Sequence, residues 1–201
     1  EKQERKRPKT KKLHWDSQSS SKEHNVFTHF PKSPDCVVCS KCKTQRSPHR
    51  VIHGARPNGL PPPQAFADSI TADHKILTDD SQARNAEKMA LIITDRFTSW
   101  TQSYPAPTKS ANETKEGFQR FLGPQAVPKH VYTDGSREFR KAMQDLGYSH
   151  DTSTPHPSES NGVAERAVRR VKEGTAVTLT QSGLHEAWWP EAMTCYCFLR
   201  N

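Results

Sequence analysis

The stretch Thr154-Pro-His-Pro-Ser-Glu-Ser-Asn-Gly-Val-Ala-Glu-Arg-Ala-Val-Arg-Arg170 decides how the rest of the chain reads. Its first half is a Pro- and Ser-rich loop that ends at Asn161-Gly162. From there Val163, Ala164, Ala167, Val168, Val171 and Thr175 recur at helical spacing, which predicts a helix over about 161–179. Glu165 stands in its first turn, and Arg169 and Lys172 follow on the same face. An acid with cations one and two turns along can hold metal while the cations grip phosphates.

Two further acids stand upstream. Asp134 ends the short apolar run Val131-Tyr-Thr133, and Asp73 lies inside Thr71-Ala-Asp-His-Lys-Ile-Leu77, which reads as a central strand. A charged side chain in such a strand is costly unless it is paired or bound to metal. Phosphodiester cleavage and transfer need an activated oxygen nucleophile, a stabilised leaving oxygen and neutralised phosphate charge. Two divalent cations held by a few carboxylates supply all three. Asp73, Asp134 and Glu165 are therefore predicted to hold Mg²⁺ or Mn²⁺, with Arg169 and Lys172 as DNA phosphate contacts. Taken singly, each acid also reads as an ordinary surface or ion-paired carboxylate. Asp95, after Leu91-Ile-Ile-Thr, reads as an ion pair or turn cap, and Glu159 in the loop competes with Glu165 as third acid.

Working outward, strands are predicted at 70–77, 89–94 and 100–104, the last ended by Pro105 and Pro107. Helices are predicted at 111–122 and at 137–146, the second closed by Gly147, with short strands at 131–133 and 148–153. A last helix spans 184–199, its start limited by Pro190, with Cys195, Cys197, Trp188 and Trp189 as packing residues. Three strands followed by alternating helices and short strands give an α/β fold, a mixed sheet flanked by helices, over residues 67–201.

The N-terminal third has another character. Residues 1–12 carry a net charge of +5 and residues 13–66 carry +4, whereas residues 67–201 carry −1. Residues 1–23 read as a disordered basic tail, with Lys6–Lys12 a nuclear-import or phosphate-binding arm or a plain solvated tail. Residues 47–66 read as a Pro/Gly-rich linker ending in Leu60-Pro-Pro-Pro63. Between them, residues 24–46 hold His24-x4-His29-x6-Cys36-x2-Cys39, the ligand types and order of a structural zinc site. The two His are expected to project from one helical turn. Cys42 and His49, and less so His14, are alternative ligands, and a reduced thiol cluster is the plain alternative. Lys41, Lys43 and Arg46 follow as candidate DNA-binding residues. The odd count of five Cys, the charged start and the absence of a long apolar run argue against a disulfide framework and a membrane span. A start at Glu1 and a stop at Asn201 inside an apolar stretch suggest a piece of a longer polyprotein.

Together these motifs resemble the integrases of retroviruses and long-terminal-repeat retrotransposons, nearest the copia type. Asn161-Gly-Val-Ala-Glu-Arg166 after Thr-Pro-His-Pro is similar to the third-acid motif, Thr133-Asp-Gly-Ser-Arg-Glu-Phe139 to the second, and Asp73 in Thr-Ala-Asp-His to the first. Leu91–Thr98 resembles the strand after the first acid, and Trp188-Trp-Pro-Glu-Ala192 with Leu199-Arg-Asn201 the downstream helix. The resemblance implies a ribonuclease H-like core with Asp73, Asp134 and Glu165 as its catalytic, metal-binding triad. It implies trimming of element DNA ends and joining of their 3′-hydroxyls to target DNA. DNA partners, a homo-oligomer, and a nuclear site of action with a cytoplasmic particle stage follow from it too. The His/Cys segment resembles the family's His-His-Cys-Cys domain, but its six residues between His29 and Cys36 replace a far longer interval. The usual three-helix domain therefore cannot form. Gly135-Ser136 also departs from the usual Asn-Gly after the second acid, and the interval to Glu165 is shortened. Two other readings share the motifs: a related nuclease without strand transfer, and a degenerate or domesticated DNA-binding remnant.

Overall fold

A computed structural model describes residues 23–43, 62–77, 83–152 and 162–201. The basic tail, most of the linker, the Thr154–Asn161 loop, Arg46, His49, His14 and Glu159 lie outside the described residues.

Strand β1 (Ile70–Ile76) sits at the centre of a five-stranded sheet. β2 (Met89–Asp95) pairs antiparallel with it, and β3 (Thr101–Ala106) pairs antiparallel with β2 at one edge. On the other side β4 (Val131–Thr133) runs parallel to β1, and β5 (His150–Thr152) parallel to β4, giving the order β3-β2-β1-β4-β5. Alternation along β1 then sorts its side chains between two faces.

Ile70 and Ala72 join Leu91, Ile93, Val131, Phe118, Phe139 and Met143 in one core layer beneath α2 (Ala111–Leu122) and α3 (Arg137–Leu146). Ala90 and Ile92 pack on the opposite face, against Ala167 and Val171 of α4 (Gly162–Ser182) and Trp189, Met193 and Cys197 of α5 (Trp189–Arg200). Helices on both faces of a mixed sheet make the ribonuclease H-like arrangement that the motifs imply.

Local chemistry explains the helix ends. Ser110 and Glu113 form a reciprocal capping box at the start of α2. Gly147 takes φ 69°, the left-handed conformation that ends α3. At the crossing of α4 and α5, Gly174 lies so close to Tyr196 that a Cβ there would stand 2.2 Å from the ring.

Three expectations need correction. β3 continues through Pro105 to Ala106, because an edge strand tolerates a residue without an N–H. The last helix is split: Glu186–Trp188 forms a 3₁₀ turn, and α5 opens with Pro190 in its first turn, where the missing donor costs nothing. Cys197 is buried but Cys195 is exposed, since only one of two residues so spaced faces the sheet. Beside β3, the Asn201 amide accepts from the Thr101 N–H (3.0 Å) and donates to the Thr101 carbonyl (2.8 Å). Among the described residues no helix is long and apolar enough to cross a membrane.

The segment 23–43 carries one short helix, α1 (Val37–Cys42), which packs on α4.

Candidate active site and metal centre

Asp73 points to the α4 face of the sheet by the same alternation that sends Ala72 and His74 to the other. There it lines a cleft of about 450 Å³ together with Lys75 of β1 and Glu165, Arg169 and Lys172 of α4. Burial, reinforced by the negative charges of Asp134 and Glu165, pushes the Asp73 carboxyl up to about 6. The charges of the other two predicted acids thus bear on Asp73, and repulsion of this kind is what a divalent cation relieves. Hard oxygen donors of this kind fit Mg²⁺ or Mn²⁺.

Asp134 follows β4 directly. Its Oδ1 accepts from the Ser136 N–H (3.1 Å), while Arg140 donates to the Gly135 carbonyl through Nε (3.0 Å) and Nη2 (2.6 Å). Gly135-Ser136 thus closes the turn with its own hydrogen bonds. Lys109, just before α2, forms an ion pair with Glu138 (3.8 Å), and its charge pulls the Asp73 carboxyl downward against the other acids. The second-acid motif contains Glu138 but gave it no role, and Lys109 lies outside the motifs.

His74, next to Asp73, faces the other way. It stacks on Phe139 (4.2 Å), its Nε2 lies 3.1 Å from the Thr114 hydroxyl, and burial pulls its pKa down to about 4. Asp95 is fully buried and accepts from the N–H of Ala67 (3.0 Å) and from the N–H and hydroxyl of Thr98 (both 2.7 Å), a turn cap as the sequence suggested.

The second constellation is tighter. The ligand atoms of His24, His29, Cys36 and Cys39 all lie within 4.8 Å of one another. The His do not share a helical turn; they bracket a turn built by Asn25, whose side chain accepts from the N–H groups of Phe27 and Thr28. Cys36 caps α1 and accepts from the Cys39 N–H (3.5 Å). That N–H, with His24 and His29 beside the sulfur, lowers the Cys36 thiol to about 6.

The ring nitrogens are assigned by their partners. His24 Nδ1 donates to the Pro31 carbonyl (2.7 Å), which raises the His24 pKa, and its Nε2 is buried without a hydrogen-bond partner. His29 Nε2 donates to Gln181 Oε1 of α4 (3.2 Å), leaving Nδ1 3.2 Å from the Cys36 sulfur and 3.6 Å from that of Cys39. Each ring is held by an outer acceptor while its free lone pair turns inward, the preparation expected of zinc-ligating His. Two thiols and two imidazoles fit a closed tetrahedral Zn²⁺ site. Gln181 was not legible as a partner, because only the fold brings it within reach. Cys42 stays outside the cluster, with its sulfur 3.2 Å from the Thr180 hydroxyl.

The candidate DNA-binding residues divide. Lys41, Arg169 and Lys172 are exposed. Lys43 is turned inward: its ammonium donates to the His29 carbonyl (2.7 Å), so it serves the His/Cys segment, or knuckle, rather than offering a free head to phosphate.

No protein-family model matches the chain. Among curated proteins it is 29% identical over 173 residues (82% of this chain) to the retrovirus-related Pol polyprotein from transposon RE2 of Arabidopsis thaliana. It is 27% identical over 171 residues to that from transposon RE1 of the same plant. A shorter match, 35% over 66 residues, joins it to the Pol polyprotein from transposon TNT 1-94 of Nicotiana tabacum. The chain spans 11% of the length of each Arabidopsis relative. A similar solved structure is the catalytic core domain of BIV integrase, at 15% identity and a TM-score of 0.48, covering 65% of this chain and 81% of that one. Over most of its length the chain is thus similar to retrovirus-related Pol polyproteins of copia-type transposons, the resemblance that its acid and His/Cys motifs carry.

Proposed function

We propose that this chain is the zinc-knuckle and catalytic-core portion of a retroelement integrase, a metal-dependent polynucleotidyl transferase that trims element DNA ends and joins them to target DNA. The observation that carries this reading is the cleft that brings Asp73 of β1 beside Glu165, Arg169 and Lys172 of α4, with Asp134 directly after the neighbouring strand β4. Mg²⁺ or Mn²⁺, when bound, would supply charge neutralisation and an activated oxygen nucleophile. The chain's own share is positional. Asp73, Asp134 and Glu165 hold the ions, and Arg169 and Lys172 grip non-bridging phosphate oxygens beside them. Half-buried His74 faces away, so the carboxylates rather than an imidazole meet the reacting oxygens. Zn²⁺ on His24, His29, Cys36 and Cys39 is structural. A homo-oligomer acting on DNA in the nucleus, after a cytoplasmic particle stage, belongs to the same proposal.

The test is resolution of branched DNA that mimics an integration intermediate, with Mn²⁺, by the chain and its Asp134→Asn variant. Metal-dependent strand joining lost in the variant is the expected result. A product that is nicked but never joined would replace the transferase with a nuclease. Activity unchanged in Asp134→Asn would overturn the assignment of the triad.

A further inference from the structure

β5 is only three residues long, and none of His150, Asp151 and Thr152 joins either core layer. Its place beside β4 needs another reason, and the hydrogen bonds of His150 supply one. The Thr133 side chain is fully buried at the end of β4, and its hydroxyl donates to the carbonyl of Asp134 (2.8 Å). A hydroxyl has one proton, so in the contact of 2.8 Å between His150 Nε2 and Thr133 Oγ1 the imidazole is the donor. His150, Thr133 and Asp134 thus form a directed relay that ends on the main chain of the second acid. Two further bonds hold the same turn. The Ser136 N–H donates to Asp134 Oδ1 (3.1 Å), and Arg140 Nη2 donates to the Gly135 carbonyl (2.6 Å). The register that lets His150 reach Thr133 is itself fixed, by the Val131 N–H on the Ser149 carbonyl (2.9 Å) and by His130 against Asp151 (3.3 Å).

We infer that His150 is a positioning residue for the second acid: its Nε2 hydrogen orients the Thr133 hydroxyl, which fixes the Asp134 main chain and with it the direction of the carboxylate. The inference rests on the proposed function for the role of Asp134. It also explains how a turn with Gly135-Ser136 after the acid stays in place. Side chains from β5 and α3, rather than the turn residues alone, hold both carbonyls that follow the Asp134 α-carbon. Outer partners of this kind aim a metal-binding group without touching the metal.

Substitutions that separate shape from hydrogen bonding test it in the full chain. His150→Phe keeps a ring and loses the donor, whereas His150→Gln retains an N–H at the end of the side chain. Thr133→Val keeps the branched shape and loses the hydroxyl. Asp151→Ala, which releases the His130 contact on the same strand, is the control. The first readout needs no metal. Exchange of the Ser136 amide, held by the Asp134 carboxylate, should quicken by about fivefold in His150→Phe and Thr133→Val, the worth of one hydrogen bond. The second is Mn²⁺ affinity, read from the paramagnetic resonance of free Mn²⁺, which should fall by roughly 10–100-fold in both. His150→Gln should recover most of each loss, and the double variant should lose no more than Thr133→Val alone, because both act through one relay. Equal losses in Asp151→Ala would make β5 merely structural and overturn the inference. So would unchanged Ser136 exchange in His150→Phe, whatever the metal does. The outcome is separable from the enzyme reading. Altered exchange and affinity with no joining of branched DNA would sink the function and keep the relay. Active joining with exchange and affinity unchanged in His150→Phe would do the reverse.

Discussion

The two candidate metal sites are built on opposite plans. The His24–Cys39 cluster comes from one short stretch, uses soft nitrogen and sulfur donors, and has all four already drawn together. The carboxylates come from residues scattered between 73 and 165, on β1, just after β4 and on α4, and the charges of Asp134 and Glu165 both push the Asp73 carboxyl upward. The first resembles a closed structural site, in which local chain geometry preassembles the ligands. The second depends on the whole sheet, and leaves an open cleft edged by Arg169 and Lys172 where a substrate can enter. A site that holds a fold has its ligands gathered in advance by one short stretch of chain. A site that does chemistry is left unsatisfied until its ligands arrive.

The sharpest test of this contrast is to neutralise one acid. Glu165→Gln should reduce metal-dependent DNA joining by at least about a hundredfold, since a cation-holding group is worth several kcal/mol to the transition state. Its circular dichroism and zinc content should not change. If the spectrum collapses too, the acids are structural and the contrast fails. On the other side, Cys39→Ser should cost the knuckle its zinc and order residues 23–43 poorly, while the core keeps its thermal transition. Metal analysis with amide hydrogen exchange would show this, and a core melting together with the knuckle would break it.

Gln181→Ala probes the join between the two plans. Loss of this outer partner of His29 should weaken zinc binding by roughly 10–100-fold by competition with a chelator, with DNA joining largely kept. Gly174→Ala strikes the helix between them. With the Tyr196 ring in the way, it should destabilise the chain by about 1–3 kcal/mol in urea titration and disturb both sites together. The smallest effect is a gain. In metal-free protein at neutral pH, Asp73→Asn should raise stability by on the order of 1 kcal/mol, because it removes a buried charge set among other acids. A loss of stability there would mean that Asp73 is paired by something other than metal.

What was legible in the sequence follows the same division. Ligand types and acid motifs are local signals, so the His24, His29, Cys36 and Cys39 set and the placement of Asp73 and Glu165 on one cleft were readable ahead of the fold. Turn chemistry was readable for the same reason: Gly147 ended α3 where expected, and α2 ran over the predicted residues. The failures are all questions of neighbourhood. Pro105 stays in β3 because that strand has no partner on its outer side. Lys43 turns inward because two carbonyls await it, and Cys195 turns outward because Cys197 took the inner position. Lys109 gains its relevance from Asp73, and Gln181 from His29, across distances in sequence that no motif spans. From Glu165 to Gln181 along α4 is about 24 Å at 1.5 Å per residue, so one rigid helix connects the two sites.

The edge of the sheet at β3 carries a consequence for how copies of this chain can meet. An unguarded edge strand is an open row of donors and acceptors, and sheets readily extend through it into a neighbour. Here the Asn201 amide occupies both backbone groups of Thr101, and Pro105 contributes no donor at all. The border is blunted at two positions, by one borrowed amide and one missing hydrogen. At this edge, a second copy of the chain pairing along β3 would have to displace the Asn201 amide from Thr101 and would find no donor at Pro105.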